Sequence, residues 1–259
     1  MYLTWLDTNT WLIELGAKRI LVDPWLMGTL VFGSLDWLFK GHRHQDRPIP
    51  ENIDLILLSQ GLEDHTHQPT LRQLDRTIPV VGSATAAKVV QELGYTNVKA
   101  LAHGETYTLD QYVRIEATPG SRVGLNIVEN GYLLREVETG LSLYYEPHGT
   151  HPSSLESVAP IDVVITPILD LELPLVGPII KGNKSTLELA KLVQPQVILP
   201  TATPGDVIYE GFLLNLLRAV GNIEEFRSLL VQNHLSTQVI EPSPGKRMKL
   251  QLEQRTLAI

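Results

Sequence analysis

Two adjacent residues, Asp64 and His65, carry the side chains in this sequence that are best suited to chemistry. They stand in the segment SQGLEDHTH, residues 59–67, directly after the apolar run DLILLS. A carboxylate and an imidazole can hold a divalent ion together or move a proton. Three interpretations are open: a metal-binding loop, the remains of one, or a polar turn after a strand.

The structural alternative for this pair needs no metal. Asp64 would accept N–H groups at the start of the helix that follows, and His65 would donate a hydrogen bond to a backbone carbonyl. The residue types leave both interpretations open.

A second polar segment is EPHGTH, residues 146–151. Glu146 and His148 are two residues apart, so they lie on the same side of an extended chain. The alternative is a solvated turn, because Pro147 and Gly149 are turn formers. We favour a segment that lines a pocket.

The elements around these segments predict an α/β protein. TWLIEL and RILVDPW are typical of a β-hairpin, and Asp23-Pro24 ends its second strand because proline has no N–H to donate. From Asp54 strands and helices alternate, with helices expected near residues 70–76 and 85–93. The β-rich stretch from NVKAL (97–101) to LSLYYE (141–146) predicts a second, antiparallel or mixed sheet.

The remaining segments complete this pattern. Residues 28–50 are expected to form a long loop with at most one helical turn. Further strands are predicted at 163–168, 197–201 and 249–252, and further helices at 185–192, 209–220 and 223–232. There is no internal repeat of fixed period. Together the elements favour two sheets packed face to face with helices outside.

The composition sets limits on partners and ligands. A chain of 259 residues, 43% of them hydrophobic, can bury a full core, and we predict one domain over residues 1–259. The net charge of -8 gives little attraction to nucleic acid or anionic lipid. We therefore expect a small-molecule substrate or ligand, with no nucleic-acid or membrane partner, and leave the oligomeric state open.

The absence of cysteine restricts the ligands of any metal to imidazole, carboxylate, amide or water. The N-terminal stretch is predicted to be neither a signal peptide nor a membrane span, because Asp7 and Glu14 interrupt its apolar residues. We expect a cytoplasmic protein.

Five segments occur in an order that resembles the metallo-β-lactamase fold hydrolases, in particular their cytoplasmic lactonase-like branch. They are LVDPW (21–25), SQGLEDH (59–65), TPGSRVG (118–124), LYYEPHG (143–149) and VILPTAT (197–203). The resemblance spans nearly the whole chain. It implies an α/β, four-layer αββα sandwich of the metallo-β-lactamase type, in which SQGLEDH is a degenerate HxHxDH loop and TPGSRVG is a turn.

By position, the resemblance implies that a first metal site is lost. Its three histidines correspond to Gln60, Leu62 and Ser121. Zinc prefers imidazole, thiolate or carboxylate, so none of these three is a good ligand.

A second metal site is implied to survive in part. Its positions correspond to Asp64, His65, Glu146 and Ala202, of which the first three can bind. The cofactor is therefore at most one divalent ion, Zn, Mn or Fe, or none. His148 is a candidate replacement for the missing late histidine. His67, His151 and Asp206 are further potential donors.

Three functional hypotheses follow. In the first, the protein is a hydrolase in which His65 and His148 are catalytic: the ion activates a water that attacks an ester, lactone or amide carbonyl, while His148 or His67 relays a proton. In the second, it is a non-catalytic pseudo-hydrolase that binds a small molecule or a partner protein. The third and weakest is metal-free catalysis by His65 as a base beside Asp64 or Glu63.

The aromatic loop, residues 28–50 with the preceding Trp25, adds Phe32, Trp37 and Phe39. It has three interpretations: a lid over a substrate, a dimer surface, or cover for one face of a sheet, with core or interface packing favoured. The HRH triplet, residues 42–44, is expected to lie on a solvated face.

Overall fold

The structure, a computed structural model, describes residues 1–124 and 126–255. In these ranges the strands are β1 (Tyr2–Trp5), β2 (Trp11–Leu15), β3 (Lys18–Val22), β4 (Leu30–Val31), β5 (Lys40–Arg43), β6 (Leu55–Leu58), β7 (Val80–Gly82), β8 (Val98–Ala100), β9 (Thr106–Leu109), β10 (Val113–Val123), β11 (Ile127–Glu136), β12 (Ser142–Tyr145), β13 (Val163–Thr166), β14 (Asp170–Leu173), β15 (Gly177–Ile180), β16 (Val197–Pro200), β17 (Val207–Glu210), β18 (Arg218–Val220), β19 (Gln238–Val239) and β20 (Arg247–Lys249). The α-helices of the same ranges are α1 (Gln68–Gln73), α2 (Ala84–Glu92), α3 (Asn183–Val193) and α4 (Ile223–Gln232). Short 3-10 helices occur at Ser153–Val158 and Phe212–Asn215.

The chain divides into two compact units. The first comprises Met1–Ala102, Ala202–Leu217 and Ser243–Lys249. The second comprises His103–Thr201, Arg218–Pro242 and the chain from Leu250 onwards.

The first unit is built on a seven-stranded sheet in the order β20-β1-β2-β3-β6-β7-β8. Strands β20, β1, β2 and β3 pair antiparallel, and β3, β6, β7 and β8 pair parallel. Every residue of β6 is buried, as is typical of a central parallel strand. Its core joins side chains of the sheet, such as Leu21 and Ile56, to helical side chains such as Leu71 and Val90.

A small sheet in the order β17-β5-β4 also belongs to the first unit. It uses Leu30–Val31 and Lys40–Arg43, so two short strands interrupt the predicted long loop over residues 28–50. The predicted helical turn lies between them, where the N–H groups of Leu38 and Phe39 donate to the carbonyl oxygen of Leu35. Strand β17 of the same sheet overturns the predicted helix over residues 209–220. The apolar pattern there suits a helix, but Tyr209 pairs with Gly41 across the sheet and Gly211 takes a φ of 121°.

The second unit repeats the plan with the order β19-β16-β13-β12-β11-β10-β9. Strands β9 to β12 pair antiparallel, and β12, β13, β16 and β19 pair parallel. Its core packs Tyr144, Val164 and Ile198 of the sheet against Ala190 of α3 and Phe226 of α4.

A further small sheet of the second unit has the order β15-β14-β18. None of the strands predicted from the sequence covers its β14–β15 hairpin.

Two other sequence expectations are corrected. NVKAL supplies β8, which pairs with β7 in the first sheet and not in the second. TPGSRVG is not a turn but continues β10, with an irregularity in the pairing between Pro119 and Arg122.

In the described ranges, none of the helices combines the length and the apolar character needed to cross a bilayer. The single domain over residues 1–259 stays a prediction.

Candidate functional site

His65 lies at the centre of a buried polar cluster in the first unit, in the loop between β6 and α1. Its side chain is fully buried. Its Nδ1 lies 2.7 Å from Oδ2 of Asp23, and its Nε2 lies 3.1 Å from Oδ2 of Asp64. The metal-free alternative expected a backbone carbonyl as the partner. The structure instead places a carboxylate at each ring nitrogen.

Asp23 is the residue of this cluster that sequence reasoning missed. It is fully buried directly after β3, and its carboxylate accepts hydrogen bonds from the backbone N–H of Ser59 at 2.7 Å and from the Ser59 hydroxyl at 2.5 Å. Because β3 and β6 are parallel neighbours, their carboxyl ends meet, and Asp23 and Ser59 directly follow those ends. The parallel pairing of β3 with β6 is the signal from which the position of Asp23 beside Ser59 could have been predicted.

The charge state of His65 follows from this environment. Burial lowers the pKa of His65, but the carboxylates of Asp64 and Asp23 outweigh it and raise the pKa from 6.5 to about 10. At neutral pH the imidazole is therefore protonated at both nitrogens. An imidazolium cannot accept a proton, so this arrangement does not support His65 as a metal-free general base.

The start of α1 is capped by His67 and not by Asp64, so the predicted capping role of Asp64 is wrong. The Nδ1 of His67 accepts the N–H of Thr70, and its Nε2 lies 3.2 Å from the carbonyl oxygen of Thr29. Burial lowers the pKa of His67 to about 4, so it stays neutral as the cap requires.

Glu146 occupies a comparable position in the second unit, directly after β12. It is fully buried, and its Oε2 accepts the N–H of Thr150 at 2.7 Å and that of His148 at 3.1 Å. Burial raises the pKa of Glu146 from 4.5 to about 7, against the effect of these backbone donors. In the ranges that the structure describes, Oε1 of Glu146 has no hydrogen-bond partner.

The loop that follows Glu146 is held from several sides. The Nδ1 of His148 lies 3.3 Å from the hydroxyl of Ser121, and the carbonyl oxygen of His148 accepts the N–H of Lys181 at 2.9 Å. Gly149 takes a φ of 74°, and a Cβ there would lie 1.4 Å from the carbonyl oxygen of Lys181. The segment is therefore a fixed loop that presents His148, and not a freely solvated turn.

Behind this loop lies a polar interior. A Cβ at Gly131 would lie 2.9 Å from the hydroxyl of Thr118, 3.1 Å from Cγ of Glu146 and 3.2 Å from the hydroxyl of Tyr144, so a larger residue there would have to displace these side chains. The Nδ1 of His151 lies 3.5 Å from the same hydroxyl, and burial lowers the pKa of His151 to about 3. His151 is therefore neutral at physiological pH.

Asp206, a lesser metal-ligand candidate, belongs to an ion-pair network in the first unit. Its carboxylate pairs with Arg47, and its N–H donates to the buried Asp7 at 2.9 Å. Arg43 completes the network with a 2.7 Å contact from Nε to Asp7. The HRH triplet is thus only partly solvated, since Arg43 is buried between the half-buried His42 and the exposed His44.

The aromatic side chains around residues 28–50 separate into two groups. Trp25, Phe32 and Phe39 form one hydrophobic cluster with Tyr209. Trp37 is 64% exposed. The first group confirms core packing for that part of the loop. Trp37 is exposed and does not share this packing.

The structure therefore brings Asp64 to His65 within the first unit, and Glu146 to His148 within the second. Asp64 and His65 form a donor set that suits a divalent ion, because a metal-bound histidine commonly has a carboxylate behind its other nitrogen, as Asp23 is here. Gln60 and Leu62, at the first-site positions, offer a neutral amide and a hydrocarbon.

Comparison with known proteins supports the predicted metallo-β-lactamase type of fold. The family described as beta-lactamase superfamily domain matches residues 2–202. An isothiocyanate hydrolase from Delia radicum gut bacteria superposes with a TM-score of 0.70 at 18% identity, over 96% of this chain and 99% of that one. CmlA, a diiron β-hydroxylase from Streptomyces venezuelae, superposes with a TM-score of 0.68 at 18% identity, over 96% of this chain and 54% of that one.

A curated relative is the cytidine monophosphate-N-acetylneuraminic acid hydroxylase of Mus musculus. It is 31% identical over 110 residues, which are 39% of this chain and 19% of that protein. The match thus spans about a fifth of the length of the relative. The predicted α/β fold of the metallo-β-lactamase type is confirmed, and the chain belongs to the beta-lactamase superfamily domain family.

Proposed function

We propose that this protein is a hydrolase that uses one divalent metal ion to cleave an ester, lactone or amide. Asp64 and His65 are its ligands from the first unit. The observation that carries the proposal is the pair of carboxylates around His65, one at each ring nitrogen.

The residues of the first unit have separate parts in this proposal. Asp23 keeps the proton on Nδ1 of His65 and fixes the ring, so that Nε2 becomes the ligand atom once its own proton has left. Ser59 holds Asp23 in place through its N–H and hydroxyl. Asp64 and His65 would hold the ion, which would supply an acidified water for attack on the carbonyl group.

The other two predicted site residues, Glu146 and His148, lie in the second unit. Glu146 as a further ligand and His148 as a catalytic proton relay remain proposals. The geometry of the loop after Glu146 supports the proposed proton relay by His148. The carbonyl oxygen of His148 accepts the N–H of Lys181, and the His148 ring contacts Ser121, so its position is fixed.

The experiment is metal analysis of the protein purified without chelator, with three variants. We expect about one equivalent of Zn, Mn or Fe in the wild type, and its loss in Asp64→Asn and His65→Ala. Asp23→Asn is expected to weaken metal affinity by about 10- to 100-fold, since it acts through His65. His44→Ala, which removes an exposed imidazole, is the matched control and should keep the metal. A wild type without stoichiometric metal contradicts the proposal.

The second candidate function is a non-catalytic protein that binds a small molecule or a partner protein. It is favoured by the mutual contact of Asp64 and His65, in which a proton on Nε2 takes the place of a metal ion. A metal-free wild type whose fold is unchanged in Asp64→Asn supports this candidate.

A further inference from the structure

An exposed apolar patch lies on the first unit, in the two segments that flank the pairing of Lys40 with Glu210. It consists of four large side chains on two segments, and we call it the Trp37 patch. Its members and their exposed fractions are Leu35 (44%), Trp37 (64%), Phe212 (54%) and Leu216 (38%).

The two segments of the Trp37 patch are fixed against each other. The N–H of Phe212 donates to the carbonyl oxygen of Trp37 at 3.0 Å, and that of Leu213 donates to Leu38 at 2.9 Å. These bonds lie just beyond the pairing of β5 with β17, whose last partners are Lys40 and Glu210. Gly211 has no room for a Cβ, which would lie 2.5 Å from the carbonyl oxygen of Leu38. The patch is therefore preorganised.

From this geometry we propose that the Trp37 patch is the contact surface of a symmetric homodimer, covered by the same patch of a second copy. Its exposed side chains present roughly 400 Å² of apolar surface per copy. A twofold contact buries both patches, and the resulting roughly 800 Å² is about the apolar share of a standard protein interface. Trp and Phe are also the residue types that concentrate binding energy in such interfaces.

Other occupants fit the Trp37 patch less well. An anionic membrane is disfavoured by the net charge of -8. A small ligand is normally held in a concave pocket that buries most of its surface, whereas these side chains project into solvent. A second copy carries the same apolar surface and needs no complementary charge, because a twofold contact pairs the patch with itself.

The test measures the mass of the full chain in solution at concentrations from about 1 to 100 µM, by sedimentation or by light scattering after gel filtration. We expect the wild type to reach twice the chain mass of 28.9 kDa. Phe212→Asp and Trp37→Asp should each raise the dissociation constant by at least about 30-fold. Val231→Asp is the matched control, since Val231 is 73% exposed on α4 and outside the patch.

Tryptophan fluorescence gives an independent readout. Trp5, Trp11 and Trp25 are buried, so a soluble quencher reaches Trp37 almost exclusively. Quenching should therefore weaken as the wild-type concentration rises, and should be independent of concentration in Phe212→Asp. A wild type of 28.9 kDa throughout, or a dimer that persists in both variants, overturns the proposal. The proposal is also overturned if the protein stays monomeric and Trp37 is shielded from the quencher only after neutral lipid vesicles are added.

Discussion

At the scale of single residues, the two buried carboxyl groups that follow β3 and β12 have different partners. Asp23 lies against the imidazole of His65 and accepts two hydrogen bonds from Ser59. Glu146 accepts the backbone N–H groups of His148 and Thr150, and burial raises its pKa to about 7. Burial disfavours the charged form of a carboxyl group, and the backbone N–H groups around Glu146 do not offset this effect.

Glu146 should make the stability of the metal-free protein depend on pH. Since its pKa in the folded chain lies above the ordinary 4.5, the folded chain keeps a proton that the unfolded chain releases. This contribution is complete below pH 4.5 and is lost as the pH rises through about 7. In Glu146→Gln, the free energy of unfolding relative to wild type should therefore rise by up to about 3 kcal/mol between pH 5 and pH 8.

Urea unfolding at several pH values, with chelator present, measures this difference. Glu156→Gln, which changes an exposed carboxylate of the same unit, should show almost no pH-dependent difference. A constant difference between Glu146→Gln and wild type across this pH range would show that Glu146 is already ionised at pH 5.

The sequence predicted part of the candidate site and could not predict the rest. Asp64 and His65 could be placed because an apolar strand directly precedes a short polar motif. Asp23 could not, because its contact with His65 depends on which strands become neighbours, and the two residues are 42 positions apart. The direction of the Glu146 carboxylate depends on Gly131, Thr150 and His148, and no local pattern encodes that packing.

At the scale of elements, the sequence predicted those with a strong local pattern. Strand β6 and helices α2 and α4 lie close to their predicted ranges. The predicted helix over 209–220 failed because β17 exists only through its pairing with β5, more than 160 residues earlier. Propensity is a weak prior where tertiary pairing supplies the backbone partners.

The loop after β12 offers a test of fixed loop geometry. Gly149 and Gly104 both have positive φ, at 74° and 82°, but a Cβ meets Lys181 at Gly149 and nothing within 4 Å at Gly104. Gly104→Ala should therefore lose about 1–2 kcal/mol of unfolding free energy through the backbone conformation. Gly149→Ala should lose at least about 3 kcal/mol more, because the loop must move.

Thermal or urea unfolding of the two variants measures this comparison. If the two variants are equally stable, the loop can shift with little loss of unfolding free energy. In that case His148 does not have the fixed position described above.

At the scale of the whole molecule, metal binding should appear as thermal stability. An ion bound only by the folded state, at about a thousand times its dissociation constant, stabilises that state by about 4 kcal/mol. For a chain of this size, a chelator should lower the melting temperature by roughly 10 °C.

Scanning calorimetry with and without chelator measures the shift, and His65→Ala is the control in which the chelator should change nothing. An unchanged melting temperature of the wild type favours the non-catalytic candidate.

The strand plan that both units share places a buried acid at the same point of each sheet. In each sheet one strand joins the antiparallel half to the parallel half, β3 in the first unit and β12 in the second. Each of these strands ends in a buried acid followed by proline, Asp23-Pro24 and Glu146-Pro147. The backbone N–H of Asp23 donates to Leu57 and that of Glu146 donates to Ile165, so each acid also continues the parallel pairing of its sheet. In both units a buried carboxyl group therefore lies at the point where the sheet changes from antiparallel to parallel pairing.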